Sequence, residues 1–107
     1  MFKVKGSLRW WTSGGIELNV KGWITVYADE TKRQIQVDDN PLLQLPLSKA
    51  WIFEQHKVES ENAKARVFIL HGEGYHGISR IQITIPIQAD TDPGKAFGLA
   101  IQKALTM

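Results

Sequence analysis

The chain has 107 residues, 43% of them hydrophobic, and its 13 basic and 11 acidic side chains leave a formal net charge of +2. This length supports one domain with a single core. No apolar run approaches the roughly 18 residues of a membrane span, and the charge alone does not indicate nucleic acid. The sequence has no cysteine, which excludes disulfides and thiolate chemistry. Residues near position 1 show no apolar block of the kind found in signal peptides. We therefore expect a cytoplasmic location and no cofactor.

The first two predicted strands form a long hairpin. Apolar and polar residues alternate with a period of two over 2–11 and 16–27, and Ser13-Gly14-Gly15 has the composition of a turn. A three-residue loop at 13–15 keeps inward residues opposite inward residues, whereas a two-residue loop would mix the faces. This register pairs Trp10 with Leu18, Leu8 with Val20, and Gly6 with Gly22.

The facing glycines, Gly6 and Gly22, predict either a sharp bend of a long hairpin or the close approach of another element. The alternative is a tight turn at Lys21-Gly22 between two shorter strands. We favour the bent hairpin because the alternation continues across Gly22 without interruption.

Five further strands are predicted over residues 33–37, 42–47, 48–55, 64–71 and 81–87. Pro46 limits the strand at 42–47 to a short or edge strand, and Pro86 on the outward side suggests that the last strand ends at a sheet edge. Between the strands, the composition predicts turns at 29–32 and 38–41, a charged loop at 56–63 and a glycine-rich connection at 72–77.

The segment from Asp92 to Leu105 is predicted to be a helix. Asp92 can accept hydrogen bonds from the first turn, and Pro93 follows where a missing N–H costs nothing. The apolar residues of this segment recur at helical spacing and form one face: Phe97, Ile101, Ala104 and Leu105. A helix this short buries its apolar face only by packing against the preceding β-structure.

Seven strands and a final helix resemble the pleckstrin-homology superfold, including its GRAM and bacterial relatives. Lys5-Gly6-Ser7-Leu8 resembles the opening glycine-x-leucine strand, and the segment from Leu45 to Trp51 is similar to the "isoleucine-proline-leucine-serine" start of a central strand. The helix resembles the final helix of these domains. The resemblance implies an α+β, mainly β fold over residues 1–107: a PH-like split barrel of about seven antiparallel strands capped by one C-terminal helix.

Two departures from the family pattern limit what else is implied. The helix has Phe97 as its only large aromatic residue, where eukaryotic members carry a tryptophan. Glu17 and Asn19 stand where phosphoinositide-binding members place a pair of basic residues. The resemblance therefore implies a fold and no inositol-phosphate site.

The glycine-rich stretch 72–77 matches G-x-G-x-x-G, but a dinucleotide site requires this motif to open a helix and here a strand follows. His71, Glu73 and His76 could offer metal ligands, although no fourth ligand is apparent. A hairpin loop with solvated histidines is the simpler interpretation. No nucleophile motif is present, so we expect a protein that is not an enzyme.

The outward face of the first hairpin is the candidate binding surface. Basic and aromatic residues alternate on it, with Glu17 as its acidic residue: Lys3, Lys5, Arg9, Trp11, Lys21, Trp23 and Tyr27. The register places Lys5 opposite Trp23, within reach of a cation–π contact. This composition suits a protein partner or self-association, an anionic membrane surface, or single-stranded nucleic acid. Alternatively, other segments or a second copy cover Trp11 and Trp23.

Overall fold

The computed structural model describes residues 1–12, 14–15, 17–38, 40–75, 78–88 and 90–107, with the backbone alone described at 17–18, 40–43 and 73–75. Within these residues, seven strands are followed by one helix. The strands are β1 (Phe2–Thr12), β2 (Glu17–Ala28), β3 (Arg33–Val37), β4 (Asn40–Pro46), β5 (Trp51–Glu59), β6 (Lys64–Tyr75) and β7 (Ile78–Ile87), and the helix is α1 (Pro93–Thr106). The predicted mainly β, α+β class is confirmed.

The strands form one antiparallel sheet in the order β4-β3-β2-β1-β7-β6-β5, which curls into a half-barrel. This order and the C-terminal helix are compatible with a PH-like fold. β4 and β5 form the two edges of the sheet, which confirms the prediction of an edge strand at residues 42–47. Among the described residues, no helix has the length and apolar content needed to cross a bilayer.

The predicted hairpin register is confirmed in full where it is described. Trp10 pairs with Leu18, Leu8 with Val20, and Gly6 with Gly22. Gly15 has a φ of 82°, and its N–H donates to the Thr12 carbonyl at 3.0 Å, as a tight loop after β1 requires. β2 runs without interruption through Gly22, so the alternative of a tight turn there is wrong. Ser13 and Ile16 lie outside the described residues.

Several predicted boundaries after β3 are corrected. β4 begins at Asn40, inside the predicted turn at 38–41, β5 begins at residue 51 rather than 48, and β7 begins at residue 78 rather than 81. β5 continues to Glu59, so only residues 60–63 remain of the charged loop predicted at 56–63. The backbone of β6 continues to Tyr75, through the first part of the predicted glycine-rich connection. The pairing of β5 with β6 is regular from Trp51–Gly72 to Glu59–Lys64, which holds the charged residues in a strand. Because the end of this edge strand is exposed on both faces, it shows no apolar alternation for sequence reasoning to detect.

The core lies between the concave face of the sheet and α1. Phe97 and Ile101 of the helix are fully buried, and the Phe97 ring meets that of Phe68 on β6 edge-to-face, with 5.5 Å between centroids. The predicted helical apolar face is confirmed, because its other members, Ala104 and Leu105, are also buried. The inward residues of the sheet complete the core and include Val4, Leu8, Trp10, Ile24, Val26, Ile35, Leu70, Ile81, Ile83 and Ile85.

Asp92 precedes the helix as predicted, but its carboxylate makes no capping hydrogen bond. Instead Arg66 of β6 binds it: Nε donates to both carboxylate oxygens at 2.8 Å, and Nη2 lies 2.7 Å from Oδ2. These hydrogen bonds hold the pKa of Asp92 below its ordinary value. Asp92 remains the N-cap residue, and the pairing of its carboxylate with Arg66 links the start of α1 to the sheet.

Candidate functional site

β1 and β7 separate along the first half of β1, and this separation opens the candidate site. Their pairing runs from Thr12–Ile78 to Ser7–Thr84 and ends there. At Gly6 the strands are still so close that a Cβ would lie 2.6 Å from the Thr84 carbonyl oxygen. The predicted close approach at the glycine pair is therefore confirmed, and its partner strand is β7. Gly22, opposite Gly6, has a φ of 146°, which favours glycine.

Beyond Gly6 an open groove of about 720 Å³ lies between β1 and β2 on one side and β7 with the start of α1 on the other. Pro86 lies on the β7 wall, past the last pair with β1. β7 is an internal strand, and Pro86 pairs with Ala65 of β6, so the predicted sheet edge is present only on the side that faces β1. Four of the predicted surface residues line this groove: Lys3, Lys5, Lys21 and Trp23. Two glycines, which have no side chain, and two prolines also line the groove: Gly6, Gly22, Pro86 and Pro93.

Lys3 is held in place by an ion pair. Its Nζ lies 2.5 Å from Oδ2 of Asp38, and the other oxygen of that carboxylate accepts a hydrogen bond from the Thr25 hydroxyl at 3.0 Å. Lys3, followed by Thr25, holds the pKa of Asp38 below its ordinary value. Thr25 is only 2% exposed although its strand position is on the outward face, and its hydroxyl is satisfied by this hydrogen bond.

The cation beside Trp23 is Lys3. Its Nζ lies 5.5 Å from the centroid of the Trp23 ring. Lys5 is directly opposite Trp23 in the register, as predicted, but among the described residues the contact with the ring comes from Lys3, which corrects the predicted Lys5 interaction. The ion pair with Asp38 explains the preference, since it holds the Lys3 ammonium close to the ring. Trp23 itself remains 46% exposed.

Lys5 and Lys21 differ from Lys3 in having no carboxylate within 4.0 Å among the described side chains. Both are exposed, and both line the groove on the same side as Trp23. The groove therefore carries two ammonium groups that can meet an anionic group of a ligand, beside an exposed indole.

The remaining three predicted residues lie outside the groove. The half-buried Trp11 ring has the guanidinium carbons of Arg9 and Arg80 at 5.1 and 5.0 Å from its centroid. Arg80 belongs to β7, so the expectation that another segment covers Trp11 holds in part. Tyr27 has the Lys32 ammonium at 4.2 Å. The predicted surface thus divides into three separate clusters.

The glycine-rich stretch contributes no site within the described residues. Glu73 is described by its backbone alone, and His76 and Gly77 lie outside the described residues. His71 lies near the Glu54 carboxylate, at 3.6 Å. No group of three metal ligands is found among the described side chains, and the segment leads into β7 rather than a helix.

No family model, no curated protein and no solved structure matches this chain.

Sequence reasoning missed the far wall of the groove and the partner of Lys3. Thr84, Gln88 and Thr91 line the groove from β7 and the segment after it. The alternation of β7 indicated that Thr84 faces outward, but only the β1–β7 pairing shows which hairpin residues it meets. The sequence predicts a turn at Asp38, which is confirmed, but it gives no indication of the contact with Lys3.

Proposed function

We propose that this chain is a non-catalytic interaction module of PH-like architecture, which binds an extended acidic segment of a protein partner in the groove between β1 and β7. One observation carries the proposal: the groove brings Lys5, Lys21 and the exposed Trp23 to one concave surface. The strand order and the final helix support the PH-like assignment. No inositol-phosphate site is proposed, because Glu17 and Asn19 lack the necessary charge.

The chemistry of the groove favours a peptide with both acidic and apolar side chains. Ammonium groups recognise carboxylates, and an indole left half exposed in a free protein is the kind of anchor that dominates protein interfaces. The Asp38 carboxylate and Lys3 fix the position of Trp23, so little conformational freedom is lost there on binding. A concave groove bounded by glycines and prolines can accommodate an extended peptide better than it can accommodate a flat bilayer surface.

The test begins with selection of binders from a random peptide library displayed on phage. We expect enrichment of peptides that combine Asp or Glu with an aromatic or large aliphatic residue. Binding of a selected peptide, followed by tryptophan fluorescence, should fall at least about tenfold in Trp23→Ser, since truncation of an anchoring tryptophan costs about 2 kcal/mol or more. The melting curve should change little, because the ring is largely outside the core.

Charge reversal provides the matched control. Lys5→Glu/Lys21→Glu should abolish binding of the acidic peptide. Lys49→Glu/Lys103→Glu changes the net charge equally at exposed positions that do not line the groove, and it should leave binding intact. Equal loss in both double variants would contradict the groove as the site. The same variants are tested against phosphatidylserine vesicles and oligothymidylate. Selective, strongly salt-dependent binding to either probe would contradict a protein partner and identify the ligand as an anionic membrane or a single-stranded nucleic acid.

A further inference from the structure

The two edges of the sheet are very different as templates for another strand. β4 contains Pro41 and Pro46, and its pairing with β3 shifts register near the end. Proline removes a backbone donor, and such irregularities protect natural edge strands from association. The β4 edge is therefore closed to regular strand addition.

β5 has none of these protections in its backbone. Its nine residues contain neither proline nor glycine, and it pairs with β6 without a bulge from Trp51 to Glu59. No other described strand pairs with its outer edge. α1 meets β5 on the concave face, where Gly98 approaches the Gln55 side chain. A straight edge of this length offers a row of unpaired backbone N–H and C=O groups.

The convex face of β5 also exposes apolar side chains. Ile52 and Val58 are 58% and 51% exposed, among the most exposed large hydrophobic residues of the described chain. They lie six residues apart on the same face. Between them, on that face, are Glu54 and His56, whose carboxylate oxygen and Nε2 are 3.5 Å apart.

We propose that β5 pairs antiparallel with β5 of a second copy of this chain, in the register that places Gln55 opposite Gln55. A two-fold axis perpendicular to the sheet keeps the convex faces of both copies on the same side. Side chains alternate between the faces along a strand, so each residue must pair with one of the same parity, and the numbers of two paired residues add up to an even sum. With Gln55 at the centre, Ile52 of one copy faces Val58 of the other, and Glu54 faces His56. Each contact occurs twice.

The neighbouring registers of the same symmetry are worse. A shift of one residue toward the N-terminus places Glu54 opposite Glu54, where like charges repel. A shift toward the C-terminus places His56 opposite His56 and Glu54 opposite Val58. Both shifts also leave Ile52 without its apolar partner, so side-chain complementarity selects the register centred on Gln55.

This pairing closes on itself, since β5 is the one open edge among the described strands of each copy and the two-fold contact uses it. β5 is separated from β1 by β6 and β7, so the groove between β1 and β7 stays accessible. The dimer is therefore independent of the groove and would present two grooves at once.

The absence of cysteine from the chain permits a direct test of the register. Gln55→Cys should form a disulfide-linked dimer on mild oxidation, because facing Cα atoms in an antiparallel pair lie about 4.5–5.5 Å apart. Val58→Cys is the matched control on the same strand: the two introduced thiols would be about 20 Å apart and should not cross-link. Equal cross-linking of both variants, or preferential cross-linking through Val58→Cys, would overturn the register.

Sedimentation of the cysteine-free chain from about 1 µM to about 1 mM should show a monomer–dimer equilibrium. His56→Lys should tighten it and His56→Glu should weaken it, each by roughly twofold to thirtyfold, since two symmetric pairs with Glu54 change at once. Circular dichroism melts establish that both variants are folded. A monomer throughout this concentration range, or the same shift in both variants, would overturn the proposal.

Discussion

Phe97→Ala tests whether α1 is part of the core. The Phe97 ring is fully buried, lies edge-to-face on Phe68 at 5.5 Å and is 6.5 Å from the ring of Phe2. Truncation of such a ring removes its transfer free energy and leaves a cavity, which costs about 3–5 kcal/mol. A domain of this size has a free energy of unfolding of about 5–15 kcal/mol, so the variant should lose about a fifth of its stability or more.

Urea unfolding followed by circular dichroism provides the measurement. With an m-value of about 1–2 kcal/mol/M, the urea midpoint should fall by about 1.5–5 M, provided that the m-value is unchanged. Leu99→Ala is the matched control, because Leu99 belongs to the same helix and is 64% exposed; its effect should stay within about 0.5 kcal/mol. Phe97→Leu, which keeps most of the buried volume, should fall between the two. Similar midpoints for Phe97→Ala and Leu99→Ala would refute the docked helix.

Two further predictions concern the frame around the groove. Gly6→Ala should lower the free energy of unfolding by about 1–3 kcal/mol, because the new methyl group meets a rigid β7 backbone oxygen at 2.6 Å. The control Gly14→Ala, whose new Cβ has its nearest atom at 3.8 Å, should be neutral or slightly stabilising in the same urea titration. Equal urea midpoints for the two variants would contradict the close approach. Arg66 lowers the folded-state pKa of Asp92, so the ion pair should stabilise the fold near neutral pH, and this stabilisation should be lost as the pH falls below 3.8 through the lowered pKa. Thermal melts across pH measure this loss. Asp92→Asn should reduce the acid sensitivity, and the control Asp90→Asn should leave it unchanged.

Much of the fold could be predicted from residue patterns because it depends on local periodicity. Along β1 and β2, strict alternation and an odd-length loop leave one register that keeps apolar side chains on one face, and Gly6 pairs with Gly22 as a consequence. The helix could be predicted equally well, since its proline start and 3.6-residue apolar repeat both lie within one segment. The second half of β5 could not, because a strand exposed on both faces carries no apolar alternation.

Half of the candidate site followed from the same patterns. Alternation placed Lys5, Lys21 and Trp23 on one face of the hairpin, and the groove contains them. It placed Arg9 and Trp11 there too, but the separation of β1 from β7 begins only beyond Ser7, so these two residues stay against β7 and away from the groove.

The contacts that complete the site depend on residues far apart in the chain, and tertiary structure alone decided them. Lys3 rather than Lys5 lies over Trp23 because Asp38, 35 positions along the chain from Lys3, binds its ammonium. Asp92 stays at the N-cap, but its carboxylate binds Arg66 of β6 instead of the first turn of the helix, because the guanidinium offers a stronger charged partner. Charged side chains choose partners by distance in space, so periodicity could assign each of these residues to a face but not to a partner.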